Sequence, residues 1–191
     1  MSFDGEVENY ENMKNVRLVS KIFPEEQWSK AFPHAHELYD YTGFLKAVAR
    51  FPAFCNETQL KEDSAGTGDA LEQSCRIELA TIFAHWGQET GKRSHSEGEF
   101  WTQGLYYTEE IVKNDYKSWN WSNDAWPNQA GVQYYGRGPM QLSWNYNYGQ
   151  FSNVATVSRY DSKMDLLMNP QMVSQSGDMA MSAGLWFYMT P

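Results

Sequence analysis

Two carboxylates, Glu89 and Glu110, stand in surroundings that predict opposite protonation states. Glu89 ends an apolar helical pattern beside Trp86, and removal from water favours the protonated form of a carboxyl group. Glu110 follows the polar run at residues 106–109, where a carboxylate can stay ionised. Hydrolysis of a glycosidic bond requires such a pair, with one carboxyl group protonated and the other ionised. The simpler alternative for each residue is a solvated surface carboxylate, because charged side chains usually stay in water.

A stretch rich in aromatic rings and amides is the second candidate for function. It covers residues 134–149 and reads YYGRGPMQLSWNYNYG. Tyr and Trp combine a flat apolar face with a polar group, and Asn and Gln amides can bond to hydroxyl and acetamido groups. The stretch therefore favours a flat, hydroxyl-bearing ligand such as a sugar. The structural alternative is a glycine-rich loop that leads into an amphipathic helix.

The charge balance excludes several other partners. The chain has a formal net charge of -9 and no cluster of basic residues, whereas nucleic acids and anionic membranes require clustered Lys and Arg. No apolar stretch reaches the length of a membrane span. The 4 His are scattered and the 2 Cys lack the spacing of zinc ligands. We therefore expect no nucleic acid, no membrane, no metal and no cofactor.

Apolar residues at helical intervals predict three helices, over residues 39–51, 75–89 and about 171–188. The second is apolar around most of its circumference, so we expect it to be the central, mostly buried helix, with Gly91 as its cap. The irregular chain between them is expected to supply the binding surface. The polar, acidic composition of residues 1–21 predicts an amino-terminal tail, and we expect ordered structure to begin near Ile22.

Cys55 and Cys75 enclose a segment rich in Gly, Asp and Ser. A disulfide between them would stabilise the fold by about 3 kcal/mol, and two buried free thiols are the alternative. The triplets at residues 56–58 and 120–122 match the acceptor pattern for N-glycosylation. These features favour a secreted or extracellular protein, with any signal peptide absent from this sequence.

Four blocks, in a fixed order, point to one family. They read FAHWGQETG at residues 83–91, YTEEI at 107–111, YYGRGPMQLSWNYNYG at 134–149 and AGLWFYMT at 183–190. In content and order they resemble the family 19 chitinases, and the third block is highly specific. The resemblance covers residues 22–191. It implies a mainly α, lysozyme-like two-lobed helical domain with long irregular loops and a substrate cleft.

The same resemblance implies endo-acting, inverting hydrolysis of β-1,4-linked N-acetylglucosamine polymers, so chitin or a chitooligosaccharide is the expected partner. Glu89 matches the general acid of the family and Glu110, the second residue of the Glu109-Glu110 pair, matches the general base. Ser143 matches a residue that helps to hold the attacking water. The residues expected to contact the sugar are Trp126, Tyr134, Gln141, Tyr146 and Asn147.

One departure from the family bears on activity. The family domain continues past the block that ends at residue 190, so we expect the domain to be incomplete at its carboxyl end and completed by a further segment or a second chain. Two alternatives to a chitinase stay open on the sequence. One is a lysozyme-like hydrolase of peptidoglycan, and the other is a chitin-binding module with impaired catalysis.

Overall fold

The computed structural model describes residues 9–56, 68–92, 98–113, 120–121, 123–154 and 164–190. Its α-helices in these ranges are α1 (Lys14–Ile22), α2 (Glu25–Ala31), α3 (Tyr41–Arg50), α4 (Gly68–Thr90), α5 (Asn145–Asn153) and α6 (Gly177–Met189). Short 3₁₀ helices occupy Tyr10–Asn12, Phe100–Gln103 and Pro170–Ser174. No β-strand forms within the described ranges, where two isolated antiparallel bridges pair Arg137 with Glu109 and with Leu142. The prediction of a mainly helical fold is confirmed.

Helix α6 lies between two clusters of buried side chains. Every residue from Met179 to Trp186 is buried, because neighbouring elements cover α6 on all sides. Met181 and Leu185 belong to the first cluster, and Met179 and Ala183 belong to the second. Helix α6 therefore contributes buried side chains to both clusters and joins them.

The first cluster is built around aromatic rings. The Trp28 ring stacks on Phe44 with centroids 5.1 Å apart, and Trp86 of α4 meets Phe44 edge to face at 5.8 Å. Such pairs stabilise by about 0.5–1.5 kcal/mol beyond the burial of their area. Packing of Trp86 in this cluster fixes the carboxyl-terminal half of α4, on which Glu89 lies.

The prediction that α4 is buried on most sides is wrong for the described chain. One face of α4, with Leu79, Ile82 and Trp86, packs into the first cluster. The face that carries Ile77 and Ala80 is exposed, and Ile77 is 61% exposed. An apolar pattern around a helix shows that it can be buried, but the neighbours decide which faces are covered. The helix that is buried on all sides is α6.

Helix α1 occupies part of the predicted amino-terminal tail. We expected order from about Ile22, whereas α1 begins at Lys14 and buries Val16 and Val19. The carboxamide of Asn15, also buried, donates a hydrogen bond of 2.8 Å to the Val48 carbonyl of α3. Three apolar residues at helical spacing are enough to dock this segment although most of its residues are polar.

The last helix also begins later than the spacing of apolar residues predicted. Residues 170–174 form a 3₁₀ helix, and α6 begins only at Gly177. The Ser176 hydroxyl caps α6 by accepting a hydrogen bond from the Met179 amide at 3.5 Å. A serine cap satisfies an amide that has no partner within the first turn of a helix, so the break falls at Ser176. The predicted helix α3 is confirmed, with Pro52 just beyond its end at Arg50.

A buried ion pair joins α3 to α6. The Nε atom of Arg50 donates to Oδ1 of Asp178 at 2.9 Å, and a second guanidinium nitrogen of Arg50 donates to Oδ2. The side chains are only 2% and 13% exposed. Asp178 also lies in the first turn of α6, where the helix dipole favours a negative charge. Removing one partner of such a pair costs about 3–5 kcal/mol, because the other charge stays buried.

Cys55 and Cys75 form a disulfide, so the alternative of two free thiols is wrong. The bond connects the turn after α3 to the first half of α4. Next to it, the buried Cys55 amide donates to a carboxylate oxygen of Glu78 at 2.8 Å. None of the described helices combines the length and the apolar character that crossing a bilayer requires.

Candidate active site

Glu89 lies in the last turn of α4, and its side chain is exposed. Helix α4 ends at Thr90, and the Gly91 amide that follows donates to the Gly87 carbonyl at 3.1 Å. The helix therefore ends where the sequence predicted. The apolar, water-excluded surroundings expected for Glu89 are not provided by the described residues, because Trp86 turns into the core while Glu89 remains in solvent.

Thr90 attaches the end of α4 to the chain that leads to Glu110. Its buried hydroxyl donates to the Trp86 carbonyl at 2.5 Å and accepts from the Leu105 amide at 2.7 Å. The Thr90 carbonyl accepts from the Tyr107 amide at 3.0 Å. Glu110 follows Tyr107 by three positions, a distance of at most about 11 Å along an extended chain. The hydrogen bonds of Thr90 form a junction that positions both segments bearing the candidate carboxylates, the end of α4 with Glu89 and the segment with Glu110.

Glu110 sits on a short extended segment that pairs with the aromatic stretch. Its amide donates to the Gly136 carbonyl at 2.8 Å, and the Gly138 amide donates to the Thr108 carbonyl at 2.9 Å. One carboxylate oxygen of Glu110 accepts from the Val112 amide at 3.1 Å. The side chain is half-buried and lines an open pocket of about 520 Å³ together with His36 and Tyr107, among others.

The neighbouring Glu109 is held by cations. Its Oε1 atom pairs with Nζ of Lys113 at 2.5 Å, and its Oε2 atom lies 3.8 Å from Nε of Arg137. The hydrogen bond to Glu109 raises the pKa of Lys113 above its ordinary value. Among the described residues, Glu110 forms no ion pair. The two adjacent carboxylates both line this pocket and differ in their partners, since Glu109 is held in ion pairs and Glu110 is not.

Arg137 is a buried residue that the sequence analysis missed. It is 3% exposed, and its guanidinium packs over the Tyr135 ring at 3.8 Å from the ring centroid. One guanidinium nitrogen donates to the Tyr148 hydroxyl at 2.9 Å. The backbone of Arg137 also pairs with Leu142 in both directions. The sequence signal was a single charge enclosed by two glycines in an otherwise uncharged block.

Gln141, Ser143 and Asn147 are connected by hydrogen bonds. The Ser143 hydroxyl donates to the Gln141 carbonyl at 2.8 Å, and Nδ2 of Asn147 donates to the Ser143 carbonyl at 2.8 Å. Nε2 of Gln141 donates to the Gly138 carbonyl at 3.1 Å. A Cβ atom at position 136 would lie 2.5 Å from Oε1 of Gln141, so only glycine allows this side chain to cover the segment that pairs with Glu110.

Residues 24–191 match the family described as chitinase class I, glycoside hydrolase family 19. The chain belongs to this family. The resemblance inferred from the four sequence blocks is thereby confirmed.

Relatives of known name include both enzymes and an inactive protein. Chitinase 10 of Oryza sativa subsp. japonica is 34% identical over 183 residues, which are 91% of this chain and 56% of that protein. Inactive chitinase-like protein 1 of Hevea brasiliensis is 35% identical over 159 residues, 82% of this chain and 44% of that protein. The chain spans about half the length of the curated relatives it matches.

A solved structure supports the fold assignment. The crystal structure of a family GH19, class IV chitinase from Zea mays superposes with a TM-score of 0.66 at 28% identity, over 90% of this chain and 72% of that chain. The predicted fold class is confirmed by this match and by the helices described above.

Tyr134, the first residue of the block at 134–149, lies in the core and not on the surface. Tyr134 is fully buried, its hydroxyl donates to the Leu167 carbonyl at 2.7 Å, and its ring packs against Tyr148. The prediction that Tyr134 contacts the sugar is therefore wrong. A tyrosine in a ligand-rich block can serve the core because its hydroxyl is satisfied by the backbone.

Trp126 and Tyr146, the other two predicted sugar contacts, are half-buried. The Trp126 ring lies directly against Gly149 of α5, where a Cβ atom would collide with it. The Trp126 carbonyl accepts from Nδ2 of the buried Asn145 at 2.6 Å. Trp126 is thus fixed against α5, and Tyr146 projects from the first turn of the same helix.

The Thr90 junction can be tested by its contribution to stability. Thr90→Val keeps the shape but leaves the buried Leu105 amide unpaired, so we expect the free energy of unfolding to fall by about 1–3 kcal/mol. Thr81→Val is the matched control, because Thr81 lies on the same helix and donates to the carbonyl four residues earlier but is exposed. It should change the stability by less than about 0.5 kcal/mol in urea unfolding. Equal losses in both variants would contradict the junction.

Proposed function

We propose that this domain hydrolyses chitin, the β-1,4-linked polymer of N-acetylglucosamine, by an endo-acting and inverting route. Membership of the chitinase class I family supports the substrate class. The observation that carries the assignment of the carboxylates is the Thr90 junction, which ties the helix end bearing Glu89 to the segment bearing Glu110.

In the proposed reaction, the Glu89 carboxyl group donates its proton to the glycosidic oxygen as the bond from that oxygen to the anomeric carbon breaks. The Glu110 carboxylate accepts a proton from a water molecule, whose oxygen bonds to the anomeric carbon from the opposite face. Exchange of protons with solvent then restores both groups. The pair must leave room for this water, so we expect the carboxyl groups to stand roughly 6.5–9.5 Å apart.

The hydrogen-bond chain of Gln141, Ser143 and Asn147 suits the remaining tasks. The Ser143 hydroxyl uses its proton on the Gln141 carbonyl, so its lone pairs can accept a hydrogen bond from the attacking water. The amide nitrogens of Gln141 and Asn147 donate to backbone carbonyls. Their amide oxygens are consequently the groups that can accept from the acetamido N–H or a hydroxyl of the sugar.

We also propose that a further segment of the domain, on this chain or on another, covers the exposed face of α4. Supporting this, Ile77, Phe100 and Trp101 are between 49% and 66% exposed, and the face borders an open pocket of about 720 Å³. Covering this face would also remove water from the surroundings of Glu89, which the proposed acid role requires. The Cys55–Cys75 disulfide supports a secreted or extracellular location, because such bonds persist in oxidising compartments.

A second candidate function is binding of chitin without hydrolysis. It is favoured by the exposure of Glu89 and by the similarity to a relative named as inactive. The two functions predict the same affinity for a chitin hexamer and differ in turnover.

Glu89→Gln is expected to abolish hydrolysis while it preserves binding, because it removes the proton donor and keeps the shape. We expect hexamer turnover to fall by about 10²–10⁴-fold, with the dissociation constant changed less than about twofold. The control is Glu25→Gln, at an exposed position in the first turn of α2. Normal turnover by Glu89→Gln would overturn the acid assignment. Binding without turnover by the unmodified chain would favour the second function, and turnover of bacterial cell walls alone would indicate a peptidoglycan hydrolase.

Glu110→Gln and Glu109→Gln form a matched pair of adjacent substitutions. We expect Glu110→Gln to lower kcat by about 10²-fold or more and to change the acid limb of the pH profile of kcat. Glu109→Gln should mainly lower stability, because Lys113 and Arg137 lose their counter-charge. Steady-state kinetics and urea unfolding of both variants separate these effects. A larger kinetic loss in Glu109→Gln would transfer the base role to Glu109.

The inverting route is tested by the first product of hydrolysis. Attack of water from the face opposite the leaving group should release the α-anomer from a β-linked chitin oligomer. Proton NMR recorded during the first minutes, before mutarotation, distinguishes the anomers. Initial formation of the β-anomer would exclude the proposed geometry of the carboxylates.

A further inference from the structure

A second aromatic surface lies beside the residues proposed to bind the sugar. Trp121, Asn123, Trp144 and Tyr146 line an open groove of about 460 Å³. The Trp121 side chain is 63% exposed, an unusual position for the largest apolar side chain. Among the described residues, no charged side chain lines this groove. Its lining therefore suits a neutral ligand with a flat apolar face.

The backbone of Trp121 is held in place from beneath. The buried carboxamide of Asn145 accepts from the Trp121 amide at 2.8 Å and donates to the Trp121 carbonyl at 3.0 Å. The same carboxamide donates to the Trp126 carbonyl. One fully buried side chain thus fixes both ends of the segment that carries the exposed indole. A segment with a fixed backbone loses less conformational entropy when a ligand binds.

Trp144 is also fixed. Its backbone has a positive φ of 76°, in a region that residues other than glycine rarely occupy. Its amide donates to the Tyr134 carbonyl at 2.9 Å, and its carbonyl accepts from the Asn147 amide at 3.0 Å. The rings of Trp121 and Trp144 are 6.5 Å apart and nearly perpendicular, at 83°. They form a corner in which a pyranose ring can stack on one indole while its edge contacts the other.

We propose that this groove is an additional sugar subsite, which binds one N-acetylhexosamine unit of the polymer beyond those contacted by Gln141 and Asn147. The proposal rests on the proposed function. Tyr146 connects the two surfaces, because it lines the groove and is followed directly by Asn147 on α5. A polymer that leaves the cleft past Asn147 therefore meets Trp144 and Trp121.

Asn123 supplies a polar group to the same subsite. Its side-chain oxygen accepts from the backbone amides of Ala125 and Trp126, both at 3.0 Å. Those bonds orient the carboxamide and leave its nitrogen as the end that can donate to a sugar hydroxyl or acetamido carbonyl. A flat face together with one oriented donor matches an amino sugar better than a purely apolar ligand.

The test compares long and short oligosaccharides on full-length chains that carry Glu89→Gln, so that hydrolysis does not interfere. Isothermal titration calorimetry measures the dissociation constants of the chitin hexamer and trimer. We expect Trp121→Ala to weaken hexamer binding about tenfold, which corresponds to about 1.4 kcal/mol, and to leave trimer binding unchanged. Trp121→Phe should retain most of the affinity, whereas Trp121→Leu should not, because only the former keeps a flat ring.

Met168→Ala serves as the control for removal of an exposed apolar side chain, since Met168 is 50% exposed and lies outside the groove. It should change neither dissociation constant. Equal affinity of Trp121→Ala and the parent for the hexamer would overturn the subsite while leaving the proposed function intact. Absence of binding of either oligosaccharide to the parent chain would instead overturn the proposed function. A similar loss for trimer and hexamer would place Trp121 in the main cleft and also overturn the additional subsite.

Discussion

The buried hydroxyl of Thr90 holds the candidate active site together. It closes the last turn of α4 through the Trp86 carbonyl and at the same time accepts the Leu105 amide. A hydroxyl can do both because it has one donor and two acceptor sites. The position of Glu89 relative to the segment that carries Glu110 depends on this hydroxyl and on the Thr90 carbonyl, which accepts from the Tyr107 amide. Thr90 thus connects the segments that carry the proposed acid Glu89 and the proposed base Glu110, and the latter segment pairs with the aromatic stretch.

In the candidate site, the charged side chains and the neutral amide and aromatic side chains lie in different places. Glu109 forms ion pairs with both Lys113 and Arg137. The guanidinium of Arg137 packs over the Tyr135 ring. Glu109 and Glu110 both line the pocket, and of the two only Glu109 forms an ion pair among the described residues. Beyond them, the surface consists of amides and rings, which suits a neutral polymer.

Helices α6 and α4 are packed in opposite ways. Helix α6 is covered on all sides and is tied to α3 by the pair of Arg50 and Asp178. Within the described ranges, helix α4 is covered on one face and presents Ile77 and Ala80 to solvent. The end of α4 that bears Glu89 is therefore rigid on its inner side and open on its outer side.

The sequence by itself determined the family, the three main helical patterns and the block from Tyr134 to Gly149, because these depend on residue types at fixed spacing. It also singled out Cys55 and Cys75 as the only candidates for a disulfide. Only the tertiary structure decided that the two cysteines are bonded, that Tyr134 belongs to the core and that α4 is covered on one face, because burial depends on neighbours distant in sequence. The tertiary structure also revealed Arg137 and Asn145, whose partners lie on other segments. The local sequence pattern limits the structures and contacts that each residue can form, and long-range packing decides which of them it forms.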